Sequence, residues 1–158
     1  MAREVAGLHE ALAADAWARI WGFFLANRHR YASLAAAHGL NPGVMAALLS
    51  LDGEEPKPMR WVAEACHCDA SNATWLVDRL EERGLVERRT PPADRRMKTV
   101  ALTAAGSELV EAIRAEVLQP PDAIRALRDD ELDVIRSVFA KLAPDQVSQR
   151  PRPPRLHG

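Results

Sequence analysis

The chain has little of what most catalytic or metal-binding proteins display. It holds two cysteines, Cys66 and Cys68, and no four-ligand zinc spacing. A glycine-rich phosphate loop, an H-E-x-x-H helix and a G-x-S-x-G elbow are all missing. The five histidines, His9, His29, His38, His67 and His157, are scattered. These absences exclude the common enzyme signatures, so no catalytic residue, metal or cofactor is assigned. No apolar run approaches the ~18 residues of a membrane span. The opening MAREVAGLHEAL lacks the basic region and apolar core of a signal peptide. The expectation is a soluble cytoplasmic protein with no membrane partner. No internal repeat is visible, and a net charge of −1 argues against indiscriminate affinity for polyanions.

The 158 residues, 47% of them hydrophobic, suffice for one domain or a compact pair. The most informative stretch runs from Asp69 to Thr103. Asp69 is a good N-cap, because its carboxylate can accept from free N–H groups of a first helical turn. Gly84 supplies the left-handed residue that ends such a helix. Between them Ala73, Leu76, Val77 and Leu80 recur at i, i+3, i+4 and i+7, which predicts a buried stripe. Ser71, Thr74, Trp75, Asp78, Arg79 and Glu82 turn away from it, with Asn72 at the flank. Ser, Asn, Thr and Arg can bond to base edges or phosphates, so this face suits a DNA groove.

Two strand-like runs follow, Leu85 to Thr90 and Met97 to Thr103, joined by the tip Pro91-Pro92-Ala93-Asp94-Arg95-Arg96. Helix, strand, basic tip and strand together make a winged helix. From Lys57 to Lys98 nine Lys/Arg face seven Asp/Glu, a balance of +2 that leaves −3 for the rest. From Arg88 to Lys98 five basic residues meet the single acid Asp94, so positive charge gathers at the wing.

The run TWLVDRLEERGLVERRTPPADRRMKTVALTAAG resembles the recognition helix and wing of the MarR family of bacterial transcription regulators. The resemblance rests on three motifs in order: the VDRLE-x-x-GLV-x-R helix exit, the D-R-R wing tip and the L-T-x-x-G start of the next helix. It extends more loosely from about Leu34 to Leu142. It implies that Ser71, Asn72, Thr74, Trp75 and Arg79 face bases or the adjoining backbone. It likewise places Arg88, Arg89, Arg95 and Arg96 toward DNA, while Asp94 structures the wing. Trp75 stands where the family generally presents Arg or a polar residue. Trp can touch a thymine methyl but cannot make the two-bond guanine contact of Arg.

Elsewhere the periodicity predicts a helix from about Glu4 to His38, with Trp17, Ile20, Trp21 and Phe24 on one stripe, widened by Leu8, Leu12, Phe23 and Leu25. Gly39-Leu40-Asn41-Pro42 reads as a stop and a start. A helix from Pro42 to Leu51 follows, then a loop with room for a short strand, and a short helix with the stripe Met59, Val62, Ala63 and Cys66. His67 stands at the turn, where the family usually has a small residue or Gly. Thr103 caps a helix to about Leu118, which Gln119-Pro120-Pro121 must kink or end. A last helix starts at Asp129 or Asp130 and carries Leu132, Ile135, Phe139 and Leu142. The tail beyond Pro144, rich in Pro and Arg, is expected to be disordered.

The fold class expected is mainly α with a small β-wing: a winged helix-turn-helix domain plus N- and C-terminal dimerisation helices. The segments are 1–51 for dimerisation and support, 52–103 for DNA binding, 104–143 for dimerisation and 144–158 for the tail. By resemblance the protein is a homodimer that binds a pseudo-palindromic operator in double-stranded DNA, a ligand-responsive repressor rather than an enzyme. A small aromatic effector is implied, with Trp21, Met45 and Trp61 as candidate pocket residues. Two alternatives come from other classes. One is a winged-helix interaction module that reads no DNA; the other is a redox-responsive regulator working through Cys66 and Cys68. Against the latter, Cys66 belongs to an apolar stripe, and cysteines two apart on a helix point in different directions.

Overall fold

A computed structural model of the chain describes residues 2–53, 55–90 and 98–142, with side chains from residue 6 onward. In chain order the elements are α1 (Ala2–Ala37), α2 (Pro42–Ser50), β1 (Lys57–Pro58), α3 (Met59–Ala65), α4 (Ala70–Glu82), β2 (Val86–Arg89), β3 (Thr99–Leu102), α5 (Ala104–Val117), α6 (Asp122–Arg125) and α7 (Asp129–Leu142). This is a mainly helical winged helix-turn-helix with a three-stranded antiparallel sheet. Among the described residues no single helix is long and apolar enough to cross a membrane. The wing tip, with Asp94, Arg95 and Arg96, and the tail from residue 143 lie outside the described residues.

The chain divides into two compact units, Met1–Pro42 and Gly43–Gly158. The first is the long α1, whose large apolar side chains stay exposed: Trp17 is 63% and Phe24 56% exposed. Trp21 stacks between them, its ring centroid 6.2 Å from that of Trp17 and 5.4 Å from that of Phe24.

The second unit is built around one core. Val44, Met45, Ala47 and Leu48 of α2 and Val62 of α3 are buried, as are all four stripe residues of α4, Ala73, Leu76, Val77 and Leu80. Val86 of β2, Val100 of β3 and Val110 and Ile113 of α5 complete it. Each fully buried Leu, Ile, Val or Met contributes about 1.5–3 kcal/mol relative to exposure, which is what holds so short a sheet in place.

The strand order is β1-β3-β2, with Lys57 opposite Val100 in one pair and Val86 opposite Leu102 in the other. β1 is an edge strand, where Pro58 removes no central ladder bond, and Pro58 then serves as the N-cap position of α3. α5 stops at Val117, just before Pro120 and Pro121. The four-residue α6 beyond them had no periodic signal, being too short to show one. Arg125 holds that corner through the Pro120 carbonyl at 3.0 Å and Gln119 Oε1 at 3.1 Å.

Around Gly84 and Thr103 the second unit is tied together. Thr103 caps α5 by accepting from the Gly106 N–H at 3.0 Å, and its hydroxyl donates to the Gly84 carbonyl at 2.7 Å. Its own N–H donates to the Leu85 carbonyl at 3.0 Å. Gly106 is required here: a Cβ on it would lie 1.9 Å from the Leu85 oxygen and 2.9 Å from the Leu85 carbonyl carbon. Gly106→Ala is therefore expected to push α5 off the end of α4 and destabilise the fold by about 1–3 kcal/mol, as overpacking does. A lowered urea midpoint would show it, and an unchanged one would mean that the helices separate freely.

Candidate nucleic-acid interface

α4 forms because each of its ends is satisfied. The Asp69 carboxylate accepts from the Asn72 N–H at 2.8 Å. At the other end Gly84 takes φ 68°, and the N–H groups of Gly84 and Leu85 return to the carbonyls of Glu81 and Leu80 at 2.8 and 3.0 Å. With Ala73, Leu76, Val77 and Leu80 fixed in the core, the opposite face must point outward. Ser71, Asn72, Thr74, Trp75 and Arg79 are all exposed. The helix thus presents two hydroxyls, an amide, an indole and a guanidinium together.

Two of those side chains are linked. The Arg79 guanidinium lies 5.7 Å from the Trp75 ring centroid and bonds Glu82 at 2.7 Å. Trp75 is 44% exposed, so its ring both supports Arg79 and remains open to a partner. The sequence reading placed Glu82 on this outward face without giving it a partner. Its signal is the i, i+3 spacing of a base and an acid on one helix face.

The two arginines of β2 differ. Arg89 is exposed and pairs with Glu87, two residues back on the same strand face, at 2.7 Å. Such exposed pairs contribute about 0–1 kcal/mol and yield easily to a phosphate. Arg88 is 26% exposed and binds two carboxylates of α4, Asp78 at 2.5 Å and Glu81. Partial burial pulls its guanidinium down, but hydrogen bonds and charge from Asp78 and Glu81 outweigh that and hold it above the ordinary value. Arg88 clasps the wing strand to the helix. Their pairing with Arg88 had no local signal, because only the fold brings Asp78 and Glu81 to a residue beyond the turn.

Met45 is fully buried in the core. Trp61, exposed on the far side of α3, donates its indole N–H to the Ser50 carbonyl at 2.8 Å and carries the Lys57 ammonium 5.3 Å from its ring centroid. Trp21 belongs to the α1 stack.

A model of the MarR family matches residues 38–97, which include α2 through β2. Transcriptional repressor MprA of Escherichia coli is 32% identical over 136 residues, covering 79% of this chain and 72% of that protein. The chain belongs to the MarR family. It is a DNA-binding transcriptional regulator, not an enzyme. A probable transcriptional regulator from Pseudomonas aeruginosa has a related structure, with 34% identity, a TM-score of 0.56, and coverage of 77% of this chain and 95% of that one. The transcriptional repressor CouR, solved bound to a 23-mer DNA duplex, shares the fold at 24% identity and a TM-score of 0.62, covering 79% and 89% of the two chains.

Removing Arg88 separates a structural role from a DNA contact in this MarR-family chain. Arg88→Gln is expected to cost about 1–3 kcal/mol in urea unfolding, since Asp78 and Glu81 lose their shared cation. It should leave the salt dependence of DNA binding unchanged. A salt slope smaller by about one would instead identify Arg88 as a phosphate contact.

Proposed function

We propose that the protein is a homodimeric repressor that lays its two α4 helices in successive major grooves of a pseudo-palindromic operator. The observation that carries this reading is the exposed face of α4, on which Ser71, Asn72, Thr74, Trp75 and Arg79 stand together while the opposite stripe is buried. In this reading those residues meet bases and the adjoining backbone, and Arg89 meets phosphate. Arg95 and Arg96 reach the phosphates or the minor groove at the wing tip, with Asp94 bracing the loop. Trp75 offers a ring to a thymine methyl, which lowers the dependence on guanine at that position.

Dimerisation is supported by apolar surface that a lone chain leaves in water. Besides the α1 residues, Val134, Val138, Phe139 and Leu142 of α7 are between 45% and 63% exposed. Large apolar faces of this kind mark association surfaces, and two-fold homodimers are the commonest soluble assembly. Repression is supported by the relatives MprA and CouR, both named as transcriptional repressors. For a small aromatic effector, Trp21 and Trp61 keep ring surface open, and Lys57 over Trp61 sets a cation beside an indole, which suits an aromatic carboxylate.

The test is binding of the purified protein to duplex fragments from the region upstream of its own gene, across a salt series and against scrambled competitor. Specific binding should fall linearly in log–log with salt. Arg79→Ala should weaken it by about tenfold, the loss of one good base contact. Binding equal to that of the competitor, with or without Arg79, would contradict the reading.

A further inference from the structure

We propose that Cys66 and Cys68 form a reversible dithiol/disulfide site at the turn of the helix-turn-helix, oxidised by small peroxides, whose closure weakens DNA binding by shifting the start of α4. The inference rests on the DNA-binding reading above for its consequence, though not for its chemistry.

The two cysteines are not on one helix. α3 stops at Ala65, Cys66 is its C-cap, and His67 takes the left-handed conformation with φ 49°. The His67 N–H donates to the Glu64 carbonyl at 3.2 Å and the Cys68 N–H to the Ala63 carbonyl at 2.9 Å. The same pair of return bonds ends α4, where Leu85 and Leu80 occupy the corresponding places and are both buried. In this motif the residue after the left-handed one folds back onto the last turn of the helix. Cys68 is thereby returned to the side of Ala63, and Cys66, three positions beyond Ala63, neighbours it on the helix surface. The left-handed residue undoes the divergence expected for two positions on a continuous helix. With one turn residue between them the Cα atoms stand about 5–6 Å apart, within the ~4.4–6.8 Å that a disulfide spans.

Both thiols are free and half-buried. Burial pushes the Cys66 thiol up, and the proximity of Cys68 pushes it the same way. Among the described residues no group of three or more His, Cys, Asp and Glu could hold a metal ion. The chemistry is that of the pair itself. One of the two, as its thiolate, attacks a peroxide oxygen; an S–O bond forms, the O–O bond breaks and the other oxygen, taking up a proton, leaves as water or alcohol. The other cysteine, losing its proton, then attacks that sulfur and expels water as the S–S bond forms. Two thiols are oxidised by two electrons and one peroxide is reduced.

The position gives the reaction a consequence. Cys68 directly precedes Asp69, whose carboxylate caps α4, and Ser71 and Asn72 of the exposed face sit in the first turn that this cap holds. Ring closure resets the Cys68 torsions and carries Asp69 with them.

The full-length protein, first reduced with dithiothreitol, would be treated with hydrogen peroxide and followed by thiol titration, intact mass and affinity for the duplex upstream of its own gene. Both thiols should disappear, the mass should fall by two hydrogens, and no crosslinked species should appear on a non-reducing gel. Affinity should drop about tenfold, an ordinary size for coupling between sites, and return with dithiothreitol. Cys66→Ser and Cys68→Ser should each bind DNA as the parent does and keep that affinity after peroxide. Two titratable thiols after treatment, a mass gain of oxygen alone, crosslinking between chains, or an internal disulfide with unchanged affinity would each overturn the proposal. Absence of binding by the reduced protein would overturn the DNA-binding reading instead, with thiol count and mass still deciding whether the disulfide forms.

Discussion

The hydroxyl of Thr103, held between the Gly84 carbonyl and the Gly106 N–H, joins the parts of this protein that must not drift apart. Gly84 ends α4, β2 begins two residues later, and Gly106 lies in the first turn of α5. Replacing hydrogen by a methyl group at Gly106 would put carbon 1.9 Å from the Leu85 oxygen, far inside van der Waals contact, so the contact tolerates no side chain. The direction in which α4 leaves the core, and hence what its outer face can meet, is set there.

Electrostatics divides the basic residues by strength rather than number. Arg88, half-buried between Asp78 and Glu81, is committed to holding β2 on α4. Arg79 and Arg89 have single acidic partners in solvent, so exchanging that partner for a phosphate or a base edge costs little. A net charge near zero fits selective binding, because it gives no overall pull on polyanions.

Much of this was legible in the sequence because it depends on neighbours. The Asp69 cap, the left-handed Gly39 and Gly84, the Thr103 cap and the four-residue stripe of α4 are contacts within a few residues of one another, and each is present as read. What the sequence did not show lies at longer range or at a break in regularity. Arg88 meets Asp78 across ten residues, and nothing local announces that pairing. Trp61 finds its partner in the Ser50 carbonyl, eleven residues back. The cysteines were judged on a helix that in fact ends before them. The wide apolar stripe of α1 was plain in the sequence, and its exposure in the single chain is what the proposed dimer rests on.

The central claim is that two α4 helices act together on one face of DNA. Hydroxyl-radical footprinting of the bound upstream duplex tests it most directly. The account predicts two protected patches related by two-fold symmetry, with centres about one helical turn, ~34 Å, apart. A single patch, or uniform protection along the duplex, would contradict it.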